Sequence, residues 1–154
     1  MTIFNEKKAE DQGAWFKFQN SHFDSEAKKF VFDEPEPDVA EFQIRNMVPF
    51  FMERMKARKK KVEHVFNPET RAMERLSYYP DLSADEAQKE QEDAWDYAIT
   101  GIKNAFFDAE TPIECTRENK IKLMQIEAFD RFVAHCLRTL ADSEKAEAEE
   151  TEKN

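Results

Sequence analysis

Hydrophobic positions follow one rhythm over the first 48 residues and another afterwards. Trp15, Phe16 and Phe18 lie around Lys17, followed by Phe23 and then Phe30-Val31-Phe32, with Asn20-Ser21 and Asp24-Ser25 between them. Short aromatic and β-branched runs parted by turn formers predict strands. Glu34-Pro35-Glu36-Pro37-Asp38 is excluded from helix and central strand, because each proline lacks a donor and restricts the residue before it. Ala40, Phe42 and Ile44 then alternate with Glu41, Gln43 and Arg45, the period of a strand with one buried face. About three antiparallel strands are expected here. So small a sheet needs helices to cover it.

From Pro49, which suits a first helical turn, the rhythm becomes helical. Phe50, Phe51, Met55, Val62, Val65 and Phe66 among many charges predict a helix, broken at Asn67-Pro68. A short helix is expected over 68–77, ended by Tyr78-Tyr79-Pro80-Asp81. Ser83 with Glu86 three residues on reads as a capping box, and Asp85 and Glu86 suit the positive end of the helix dipole. In the helix this opens, Trp95, Ala98, Ile99, Ile102 and Phe106 recur at spacings of three and four, so its second half is the buried one. Residues 107–111 predict a turn carrying Asp108, and Pro112-Ile113-Glu114-Cys115 a short extended piece. Thr116 is the expected cap of the last helical region, in which Ile121, Met124, Phe129, Phe132, Val133, Cys136, Leu137 and Leu140 form the strongest stripe in the chain. The expected class is α+β, a small amino-terminal antiparallel sheet covered by a mostly helical carboxy-terminal part. Residues 13–141 form a single domain in this reading, with flexible polar and acidic tails at 1–12 and 142–154.

Composition narrows the chemistry. A length of 154 residues suits one domain, and only two glycines, Gly13 and Gly101, rule out the Gly-rich loops that cradle nucleotide phosphates. A net charge of −10 argues against a nucleic-acid partner. Cys115 and Cys136 read as reduced thiols of a cytoplasm, and neither a signal-peptide core nor a membrane-spanning run is visible. His22, His64 and His135 are far apart, and neither C-x-x-C nor H-E-x-x-H occurs, so no metal and no cofactor is expected. Cys136 falls on an apolar stripe and reads as packing. Cys115 precedes a helix start that could activate a thiol, but no His or Asn pattern accompanies it. No enzyme is expected.

One cluster stands out against the acidic background: Arg54, Lys56, Arg58, Lys59, Lys60 and Lys61, against Glu53 and Glu63. Its plainer reading is a solvated helix face or an internal match to acidic segments. Its sharper reading is a contact surface for an acidic protein partner. Nucleic acid ranks third, because interleaved aromatics and clustered arginines are missing.

The order of features resembles the tail assembly chaperones of long-tailed bacteriophages. The resemblance runs over about residues 13–140: Gly13-Ala14-Trp15-Phe16, Glu41-Phe42-Gln43-Ile44-Arg45, the basic segment 54–61, Trp95 with Ile99-Thr100-Gly101-Ile102, then Asp108, Pro112-Ile113, Cys115-Thr116, Glu118-Asn119-Lys120, Leu123-Met124 and the helix over 129–140. The turn after Phe107 reads Asp-Ala-Glu-Thr-Pro where such a turn would carry a glycine. The resemblance implies a non-enzymatic protein of the host cytoplasm, made late in infection, that binds the tape measure protein and keeps it soluble during tail morphogenesis. A minor structural virion protein and a small host-interacting protein are the alternatives. It carries over no binding residue.

Overall fold

A computed structural model describes residues 12–153, with side-chain environments for residues 12–146. The amino-terminal segment expected to fray therefore lies, except for Gln12, outside the described residues. The fold is α+β, with an antiparallel three-stranded sheet and four helices that lie mostly toward the carboxy terminus. The chain divides into two compact units, Met1–Met47 with Glu92–Asn154, and Val48–Gln91.

The larger unit is built on a sheet of β1 (Ala14–Lys17), β4 (Glu41–Ile44) and β7 (Ile99–Lys103), in the order β1-β4-β7. Phe16, Phe42 and Ile102 stand opposite one another across its strands, as do Trp15, Gln43 and Gly101. The alternation along β4 works as the sequence implies: Phe42 and Ile44 are buried, while Glu41 and Gln43 are not. The third strand, however, comes from 99–103, a segment read from its spacing as helix. The helix before it, α2 (Ala84–Ala98), stops at Ala98, and Ile99 begins β7 without a loop. Gln43 faces Gly101 whereas Ile44 faces Ile99, so Thr100 is an extra residue bulged out of the ladder. That bulge lets Ile99 and Ile102, three apart, both turn toward the core.

Residues 21–32 do not join this sheet. They form a separate hairpin of β2 (Ser21–Asp24) and β3 (Lys29–Phe32). After β7, Asp108 accepts the amides of Glu110 and Thr111 in the expected turn, and those two bonds hold its carboxyl below the ordinary range. Thr116 caps α3 (Arg117–Met124) by accepting the Asn119 amide. α4 (Glu127–Lys153) lays Phe129, Phe132, Val133 and Cys136 into the core, where Phe132 meets Phe18 and Phe42 edge-on at 5.1 and 5.9 Å. The acidic run from 142 on, expected to be disordered or weakly helical, continues α4 as helix to Lys153.

Lys120 is the one buried charged residue among the described residues. Its ammonium donates to the Asp96 carbonyl at 3.0 Å and to the Asp96 carboxylate at 2.9 Å, tying α3 to the last turn of α2, where a cation also suits the helix dipole.

The smaller unit holds α1 (Val48–Ala57), the hairpin of β5 (Lys61–Asn67) and β6 (Ala72–Tyr78), and the first part of α2. Ser83 caps α2 as expected, its hydroxyl accepting the Glu86 amide at 3.2 Å while bonding the Glu86 carboxylate at 3.1 Å. Two expectations fail here. The helix predicted across 49–66 ends at Ala57, and 68–77 is turn and strand rather than helix. Continuing α1 would stack Arg54 on Arg58 and Lys56 on Lys60, like charges one turn apart. Val62, Val65 and Phe66 instead suit a strand, and the Asn67 side chain accepts the Glu69 amide at 3.0 Å to turn the chain back.

Candidate protein-binding surface

The six basic residues singled out from the sequence all fall in the smaller unit, but not on one helix. Arg54 and Lys56 are on α1, Arg58, Lys59 and Lys60 form the connection to the hairpin, and Lys61 opens β5. Their surroundings also differ. Arg58 directs one guanidinium nitrogen at both carboxylate oxygens of Glu90, at 3.2 Å each, so it is matched internally. Arg54 lies over the Phe50 ring at 5.0 Å, and the Lys60 ammonium over the Tyr79 ring at 5.6 Å. Lys56, Lys59 and Lys61 make no ion pair or side-chain hydrogen bond among the described residues, and all three are exposed. The cluster therefore splits into one internal brace, two cations laid over aromatic rings and three solvated cations. Residues 48–91 hold nine Lys and Arg against eight Asp and Glu, so this unit carries none of the chain's large acidic excess.

Beside these cations lies a feature the charge pattern hides. Val48, Phe51, Met52 and Met55 recur on α1 at i, i+3, i+4 and i+7, the spacing of one helix face. Such a stripe ordinarily faces a core. Here its members are 49–64% exposed, while Phe50 on another face is buried. Two of the four are methionines, whose unbranched, polarizable side chains adapt to varied apolar surfaces.

The hairpin adds more exposed apolar surface. Register places Val65, Leu76 and Tyr78 on one of its faces and Val62, Phe66 and Met73 on the other. All six are exposed. Tyr78 donates to Glu63 at 2.7 Å, a bond to an anion that raises the phenol's pKa by favouring its neutral form. Two-stranded hairpins are marginal alone in water, and one apolar on both faces gains most from a cover. The cue for this surface was present in the sequence as the 48/51/52/55 spacing. In the sequence Phe51 and Met55 count only toward a longer helix through Phe66, because periodicity reports a face and not what covers it.

The other candidate chemistry can now be placed. Cys136 is fully buried, and burial pushes its thiol up to about 12. Cys115 is exposed, but partial burial also raises its pKa, only partly countered by the Lys120 ammonium. That is the reverse of the depression an activated thiol needs. Among the described residues no three His, Cys, Asp or Glu side chains converge as metal ligands, and no helix is long and apolar enough to cross a membrane. No family model, curated protein or solved structure matches this chain.

Proposed function

We propose that this protein is a non-enzymatic binding protein that holds an amphipathic helical client, as a phage tail assembly chaperone holds the tape measure protein during tail building. The observation that carries the reading is the exposed Val48, Phe51, Met52 and Met55 stripe on α1. A helix laid on it would bury apolar positions at the same i, i+3, i+4 and i+7 spacing. Lys56, Lys59 and Lys61 favour acidic residues flanking that client's apolar face. The acidic remainder of the chain keeps a protein with this much open apolar surface soluble while the client is held.

Co-expression with a tape measure protein from the same genome tests the reading. The expected result is a larger soluble fraction of the client and co-purification of the two. Both effects should vanish with the Phe51→Asp, Met55→Asp double variant. An unchanged soluble fraction with no co-purification would refute the proposal.

A further inference from the structure

A second surface, in the larger unit and independent of α1, has the character of a peptide-binding edge. The β2–β3 hairpin rests on a face of α4 that the core does not use. Ser21 accepts the Arg131 Nε–H at 3.0 Å, the Arg131 guanidinium lies 4.3 Å over the Phe30 ring, and the Phe32 and His135 rings stack at 4.1 Å and 17°. Where hairpin and helix diverge, an open groove of about 350 Å³ remains, lined by Lys29, Phe30, Phe32, Arg131, His135 and Arg138. No residue of β2 lines it, so it runs along the far side of β3.

Among the described residues that side of β3 is an unpaired strand edge, because the hairpin is a two-stranded sheet. The Asp33 amide donates to the Asn20 carbonyl at 2.8 Å, and the register continues as His22 opposite Val31 and Asp24 opposite Lys29. Antiparallel ladders alternate bonded and non-bonded pairs, so the backbone groups of Phe30 and Phe32 point away from β2. The groove thus joins an open strand edge to a basic helix stripe at positions 131, 135 and 138. The charge is scarcely answered. Among the described residues the Lys29 and Arg138 side chains have no ion-pair or hydrogen-bond partner, and the sole carboxylate paired with Arg131 is that of the highly exposed Glu127, at 3.8 Å.

We propose that this groove receives an extended acidic segment of another protein, added to β3 as a third strand with alternate carboxylates on the basic stripe of α4. The dimensions fit. Side chains at i and i+2 of a strand stand about 7 Å apart, within the ~10 Å that seven residues of helix place between Arg131 and Arg138. Arginine forks suit carboxylates, and an added strand contributes main-chain hydrogen bonds that need no particular sequence. A small phosphate-bearing molecule would meet the cations but leave the Phe30 and Phe32 carbonyls unused, since an anion has no donor for them.

The test uses the intact chain and a fluorescein-labelled octapeptide of alternating valine and glutamate, followed by anisotropy. Saturable binding is expected, with slowed hydrogen exchange at the Phe30 and Phe32 amides on saturation. The Lys29→Glu, Arg138→Glu double variant should bind about tenfold or more weakly, with an unchanged melting midpoint because neither side chain makes a bond among the described residues. Lys122→Glu, on α3, should bind as the parent does. Equal binding of the glutamine version of the peptide, or of the double variant, would overturn the proposal. So would unchanged exchange at Phe30 and Phe32. Displacement by pyrophosphate at equal concentration would also overturn it and reassign the groove to a small anion.

Discussion

The two cysteines allow the packing of α4 to be tested by thiol chemistry. Cys136 has no accessible surface and sits with Phe129, Phe132 and Val133 in the core, which pushes its thiol up to about 12. At pH 8 such a group is about one part in ten thousand thiolate, whereas an ordinary cysteine of pKa near 8.5 is about a quarter ionised. The reactive fraction is thus lowered about two-thousandfold before access is considered. Cys115 is exposed, although partial burial raises its pKa as well. Iodoacetamide at pH 8, with both peptides followed by mass spectrometry, should give a singly labelled product at Cys115. Cys136 should label only through opening of the core, at a rate that climbs with urea alongside unfolding. The same group makes stability depend on pH. Its folded pKa is raised, so the native state keeps a proton that the unfolded chain releases above about 8.5, and stability falls as pH rises. Between pH 7.5 and 9.5 the loss from this group is about 1 kcal/mol, and Cys136→Ala should remove that share of the slope. Native labelling of Cys136 within tenfold of Cys115 would refute the packing of α4 on the sheet.

Three further outcomes follow from single contacts. Gly13 has φ of +91°, and a Cβ there would overlap the Ile44 carbonyl, so Gly13→Ala should cost at least ~2 kcal/mol in urea unfolding. Lys120→Ala removes two bonds from a buried ammonium and should cost about 2 kcal/mol, whereas Lys122→Ala, which loses an exposed 3.7 Å pair with Glu118, should change stability by less than ~0.5 kcal/mol in the same assay. Phe51→Asp with Met55→Asp should leave the melting midpoint within ~2 °C while abolishing client co-purification, because both side chains are about half exposed or more.

Elements whose cause is local were legible in the sequence. Ser83 and Thr116 cap because a hydroxyl three residues before a free amide needs nothing else, and Asp108 turns the chain for a similar reason. The alternation of Phe42 and Ile44 marks a strand because one face meets a core. Elements whose cause is tertiary were not legible. Ile99 and Ile102 lie three apart, the spacing of a helix face, but the Thr100 bulge produces the same spacing in a strand. What decides for strand is β4, whose second edge needs a partner, and Gly101, which leaves room for the Trp15 ring across the sheet. The basic segment is legible only in part. Charge density marks a solvated stretch whether it is helix or connection, and nothing in it reveals that Arg58 is bound by Glu90, 32 residues away.

The same apolar spacing has opposite fates in the two units, and that contrast bears on function. On α4 the stripe through Phe129, Phe132, Val133 and Cys136 is buried because a three-stranded sheet presents Phe42 and Ile44 to receive it. On α1 the stripe through Val48, Phe51, Met52 and Met55 stays open. The smaller unit's own sheet is two-stranded and exposed on both faces, so it offers that stripe no comparable core. Periodicity alone therefore identifies a face that gains from burial, and whether the burial is internal depends on a second apolar face folding with it. Where none does, the free energy of covering the stripe remains available to a partner. Under the proposed binding function, the apolar face of a client helix would draw on that reserve at Phe51 and Met55.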